Sequence, residues 1–132
     1  MFEPIALKFL GDTHEWVHLD GDVATVGVSK FAVEQLTDLT LLELPKVGSK
    51  VSSGKSFGVI ESVKSANDVY SPVSGEVVAV NNAATTDFSL LSNDPYGQGW
   101  LIKVRVADPA KDLAPGLLDH DSYQKKIAES PH

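Results

Sequence analysis

The sequence predicts a mainly β, antiparallel fold with short peripheral helices and a C-terminal helix, and three observations carry that prediction. Short apolar runs follow one another closely, separated by turns rich in Gly and Pro, as in antiparallel sandwiches and small barrels. Trp100, Ile102, Val104 and Val106 alternate with the outward-pointing Lys103 and Arg105, the signature of a strand with one face in a core. After Asp108-Pro109 the composition turns helical.

His14 to His18 is a β-rich run that ends at Asp20-Gly21, a two-residue hairpin signal. The return strand, Asp22 to Val28, puts Ala24, Val26 and Val28 on one face. Ser29 opens a short helical stretch over Phe31–Leu36, and Leu39–Leu44 follows as an apolar strand stopped by Pro45. Pro45–Gly48 and Ser52–Lys55 read as turns. Phe57–Ser62 and Val69–Val73 form two arms around Lys64, and Glu76–Val80 is expected to continue their sheet. Asn81–Asn93 is polar, with room for one or two helical turns. Trp100, at the start of the alternating strand, is expected in the core. A helical segment over about 110–130 closes the chain, with Asp121–Glu129 as a helix of acidic start.

Composition narrows the function. The 132 residues, 42% of them hydrophobic, suffice for one sizeable core, so residues 1–132 are expected to form a single domain and a monomer. A net charge of −7 without a Lys/Arg cluster argues against nucleic acid as a partner and for proteins with basic docking patches. No stretch of eighteen apolar residues suggests a membrane span. The absence of cysteine excludes disulfides, thiolate metal sites and a cysteine nucleophile. Met1–Leu10 carries an acid and lacks a basic n-region and a small-residue cleavage site, so it is expected to belong to the mature protein, in the cytoplasm.

His14-Glu-Trp-Val-His18 spells the H-E-x-x-H motif of zinc proteases. That chemistry needs a helix, on which residues four apart stand about 6 Å from one another. Trp16 and Val17 favour a strand and Asp20-Gly21 reverses the chain, so four residues here would span roughly 13 Å, too far for two imidazoles to share one zinc. No metal is expected, nor does any Ser/His/Asp set suggest an enzyme.

The most informative segment is Glu61-Ser-Val-Lys64-Ser-Ala-Asn-Asp68-Val-Tyr-Ser-Pro72-Val-Ser-Gly75. Lys64 is the only Lys or Arg between Lys55 and Lys103 and lies among small and polar residues at a hairpin tip. An exposed lysine stays protonated at neutral pH and makes a poor catalyst. Its flexible stem makes it a good point of attachment.

This segment resembles the lipoyl-lysine hairpin of the glycine cleavage system H proteins. The resemblance extends through His14-Glu-Trp-Val17, Asp22-Val-Ala-Thr-Val-Gly27, Glu34-Gln-Leu36, Glu43-Leu-Pro45, Phe57 to Lys64, and Asp94-Pro-Tyr-Gly97 through Ile102. Val63 and Ser65 stand where biotin carriers typically have methionines, which favours lipoate. The resemblance implies a barrel-sandwich hybrid of the lipoyl/biotinyl-carrier type. It further implies lipoate on Lys64, with Glu61, Ser62, Val63, Ser65 and Asp68 forming the lipoylation motif. Thr13, Glu15 and Asp68 would line a cleft for the aminomethyl-bearing arm. The implied role is that of a non-catalytic carrier. It would take the aminomethyl group of glycine from a pyridoxal-phosphate glycine decarboxylase to a tetrahydrofolate-dependent aminomethyltransferase, and electrons to dihydrolipoyl dehydrogenase. Lipoylating enzymes would be further partners. A lipoyl donor for other proteins would keep the same lysine, and a stand-alone lipoyl domain of a 2-oxoacid dehydrogenase complex is a second alternative. Two stretches depart from the family pattern, Asn81–Ser89 and Gly11-Asp12-Thr13, and neither touches the lysine motif.

Overall fold

Strands β2 (Glu15–Asp20) and β3 (Val23–Val28) form the expected hairpin, with Asp20 paired to Val23. Gly21 turns it at φ 62°, a left-handed conformation that glycine adopts without steric cost. The computed structural model describes residues 7–36, 38–108, 111–114 and 116–129, so the opening residues 1–6 of the segment read as mature N-terminus lie outside it.

β1 (Lys8–Phe9) lies against β2, and β9 (Ile102–Arg105) pairs with β3. Beyond β9 come β8 (Gly75–Val80) and β5 (Lys50–Val51), completing a six-stranded sheet in the order β1-β2-β3-β9-β8-β5. A three-stranded sheet holds β4 (Leu39–Glu43), β6 (Ser56–Ser62) and β7 (Ala66–Tyr70). Every named pairing is antiparallel, and the sheets stay separate, as in a barrel-sandwich hybrid rather than a closed barrel.

Four helices punctuate the strands among the described residues: α1 (Lys30–Gln35), α2 (Asn82–Thr86), α3 (Ser89–Asn93) and α4 (His120–Glu129). Ser29 caps α1, its hydroxyl accepting the Ala32 N–H at 3.2 Å. None of these helices is long and apolar enough to cross a membrane.

Three apolar clusters hold the elements together. Val26, Val77, Ile102 and Val104 belong to the one inside the six-stranded sheet. Ile60 and Val69 of the small sheet pack with Val33 of α1 and Leu91 of α3 in the second, and Phe57 touches both clusters. In the third, Tyr123 of α4 joins Phe9 and Trp16. A Cβ on Gly27 would lie 2.5 Å from the Trp16 ring, so only glycine lets the indole lie across β3. The indole N–H is shared between the carbonyls of Val28 and Pro95, both at 3.1 Å.

Four expectations need correction. The arm after Lys64 is Ala66–Tyr70 rather than Val69–Val73, because Ser71–Ser74 crosses from one sheet to the other. For the same reason β8 joins β9 in the large sheet and does not continue the hairpin's sheet. Trp100 is half-buried and precedes β9, with the Lys103 ammonium 5.2 Å from its ring centre. The expected helical segment of 110–130 includes residues 110, 115 and 130, which lie outside the described residues; among the described ones, helix begins only at His120. Before it, Leu113 and Leu118 make isolated β contacts with Val73 and Phe9, and Gly116 turns at φ 75°.

Candidate functional site

The hairpin of β6 and β7 closes at Glu61–Ala66, leaving Val63, Lys64 and Ser65 at its tip. The Ser62 N–H donates to the Ser65 carbonyl at 2.8 Å. The Ser62 hydroxyl accepts the backbone N–H groups of Lys64 (3.4 Å) and Ser65 (3.3 Å), and the Asn67 amide donates to the Ser65 hydroxyl at 3.0 Å. From outside the hairpin, the Asp38 carbonyl accepts the Val63 N–H at 3.2 Å. The small polar residues around the lysine thus build the turn, while Lys64 is exposed and Val63 is 67% exposed. Glu61 is half-buried on β6, opposite Ala66 and Leu41.

Beside the hairpin lies a cleft of about 480 Å³. Val28, Leu36, Ile60 and Val69 give it apolar lining, and Thr13, Glu15 and Asp68 all line it too. Ala66 and Asn67, at the start of β7, also line it, which places Lys64 two residues from its wall.

Glu15 is 1% exposed. One of its oxygens accepts the Tyr70 backbone N–H at 2.8 Å and the other accepts the Thr13 hydroxyl. Burial pushes its carboxyl up from the ordinary 4.5 to about 7, because charge is costly away from water; the hydrogen bonds from Thr13 and Tyr70 work against that rise. Near neutral pH this acid therefore stands between its charged and neutral forms. Asp68 differs in being exposed, and it accepts the Ser56 hydroxyl at 3.2 Å. Thr13 already spends its hydroxyl proton on Glu15, and its lone pairs stay available to a donor.

The sequence matches the family model described as Glycine cleavage H-protein over residues 8–130. The chain belongs to the glycine cleavage H-protein family. It is 49% identical over 124 residues to the glycine cleavage system H protein of Gloeothece citriformis, covering 94% of this chain and 93% of that one. The H protein of Crocosphaera subtropica is 51% identical over 118 residues, covering 89% and 88%. Among solved structures, a glycine cleavage system H protein from Mycobacterium marinum superposes with a TM-score of 0.85 at 36% identity, covering 96% of this chain and 99% of that one. Members of this family are lipoyl carriers, carrier subunits of the glycine cleavage system and not catalysts.

Several residues of the cleft escape sequence reasoning. Tyr70, which passes for surface filler on the hairpin, lines the cleft and lends its N–H to Glu15. Phe31, Ala32 and Gln35 of α1 line it too. Glu15, whose residue type suggests a solvated strand end, is among the most buried side chains of the protein. No local signal marks that burial, because neighbouring residues of a strand, such as Glu15 and Trp16, point to opposite faces. His18 lies in β2 and His14 immediately precedes that strand at φ 75°, so the two do not share a helical face; among the described residues no group of three or more His, Asp or Glu is gathered as metal ligands.

Proposed function

We propose that the chain is a single-domain lipoyl carrier of the glycine cleavage system, with lipoate in amide linkage to Lys64. The observation that carries this reading is an exposed lysine on an ordered turn, two residues from a cleft with apolar lining and buried acid. When bound, lipoate supplies a disulfide that takes up an aminomethyl group and electrons; the remaining chemistry belongs to partner enzymes. Those partners are glycine decarboxylase, which provides the aminomethyl cargo, aminomethyltransferase, which removes it, and dihydrolipoyl dehydrogenase, which receives electrons. Lipoylating enzymes load Lys64, reading Glu61, Ser62, Val63, Ser65 and Asp68 around it. The protein works as a monomer in the cytoplasm.

The residues present fit that arm. Val28, Leu36, Ile60 and Val69 offer an apolar bed for its alkyl chain. Thr13, Glu15 and Asp68 offer oxygen acceptors for a protonated amine, which would not leave water without partners. Shielding the cargo from water protects it from hydrolysis. Tethering keeps the arm at high effective concentration for each partner.

Incubating the protein with lipoate and a lipoate ligase, then mapping peptides by mass, tests the attachment. Lipoate on Lys64 alone is expected; lipoate on Lys55 or Lys103 with Lys64 free would overturn it.

A further inference from the structure

His14 adopts φ 75°, a left-handed conformation that costs a residue with a Cβ and persists only where surrounding contacts impose it. Those contacts can be named. The His14 N–H donates to the Leu10 carbonyl and the Leu10 N–H to the Glu15 carbonyl, both at 2.8 Å, which closes the rim of the cleft around Thr13. The Ser29 N–H donates to the His14 carbonyl at 2.9 Å. The imidazole lies against Phe31 of α1, ring centres 5.0 Å apart, and its Nδ1 is 2.9 Å from the Tyr123 hydroxyl.

Tyr123 reaches this rim from α4. It is 1% exposed, and its ring stacks on Phe9 with centres 4.3 Å apart and planes 4° from parallel. The same hydroxyl is 2.6 Å from the hydroxyl of Ser29, the cap of α1. A neutral phenol holds one proton, so it donates to one of these neighbours and accepts from the other. It therefore bonds at once to the residue beside Glu15 and to the start of the helix that supplies Phe31, Ala32 and Gln35 to the cleft. A second tie, Lys126 to Asp12 at 3.2 Å, joins α4 to the rim near the surface.

We infer that Tyr123 is a positioning residue: its hydroxyl fixes the Thr13–Glu15 rim and the α1 wall of the cleft relative to each other. The inference rests on the proposed use of that cleft as the docking place of the loaded arm.

Tyr123→Phe, made in the full chain, keeps the stacked ring and removes only the hydroxyl. Ile127→Ala is the control, because it loosens the packing of α4 and leaves the hydroxyl in place. In protein without lipoate, amide hydrogen exchange at His14 and Ser29 should rise roughly fivefold in Tyr123→Phe, the factor that one net hydrogen bond carries. After lipoylation and loading, the cargo should hydrolyse faster by a similar factor. Ile127→Ala should lower the melting temperature at least as much and leave both quantities near the parent's. Parent-like exchange and cargo lifetime in Tyr123→Phe, or equal changes in Ile127→Ala, would overturn the inference. A parent that gave its cargo no more protection than free lipoamide does would overturn the docking reading instead, and the exchange rates would still decide the role of Tyr123.

Discussion

The carboxylate of Glu15 accepts the backbone N–H of Tyr70 at 2.8 Å, a bond that joins β2 of the six-stranded sheet to β7 of the three-stranded sheet at the wall of the cleft. Fifty-five residues separate the partners, so this buried acid ties the lysine hairpin to the large sheet as well as lining the cleft. Its dual position predicts that stability and, under the proposed function, cargo protection respond to the same proton.

The effect on stability has a definite sign. The folded carboxyl binds its proton more tightly than the unfolded one, near 7 against 4.5, so its contribution is fully present below pH 4.5. It is lost as pH rises towards 7, on the order of 3 kcal/mol in all. Glu15→Gln keeps an acceptor for Tyr70 and cannot ionise. Urea unfolding at pH 5 and pH 8 should show the variant gaining on the parent by roughly that amount at the higher pH. A gap that did not change with pH would show that Glu15 titrates as an ordinary carboxyl.

Cargo protection should respond to pH in the opposite sense. A protonated amine docks best on an ionised Glu15, and one charge-assisted hydrogen bond of about 1.5–3 kcal/mol changes the docked population about tenfold or more. The lifetime of the loaded arm, taken relative to free aminomethyl-lipoamide, should shorten as acid neutralises Glu15. Glu15→Gln combined with Asp68→Asn should be short-lived throughout and should flatten the profile, while lipoylation stays unchanged. Lifetimes equal to the parent's would remove the acids from the cargo site.

Lys64→Arg should retain the fold, because the side chain is exposed and a surface change of this kind moves stability by about 0.5 kcal/mol or less. The same variant should lose all glycine–bicarbonate exchange with glycine decarboxylase, since a guanidinium is not acylated by the ligase. Exchange above the protein-free background would count against Lys64 as the attachment point.

Gly27→Ala should destabilise by about 1–3 kcal/mol, as overpacking does, because the added methyl group meets the Trp16 ring at 2.5 Å. The denaturant midpoint should fall with an unchanged slope. An unshifted midpoint would mean that the indole does not lie over Gly27.

Local chemistry was readable from the chain alone. Asp20-Gly21 marks a hairpin, Ser29 a helix cap, and the alternation of Ile102, Val104 and Val106 a strand with one buried face. The place of Lys64 at a hairpin tip was readable too, while the hydrogen bonds of Ser62, Ser65 and Asn67 that order the turn emerge only in the structure. What depends on distant partners was not. Alternation tells which face of a strand is apolar and says nothing of what covers the other. Hence Glu15 is buried where a strand-end acid is normally solvated, and Trp100 is half-exposed where a core residue was expected. The crossing of Ser71–Ser74 between sheets follows from which edges find partners, a property of the assembled sheets. Tyr123 bonds to His14 of the cleft rim across 109 residues of sequence, and only the packing of α4 against Phe9 and Trp16 brings the two together.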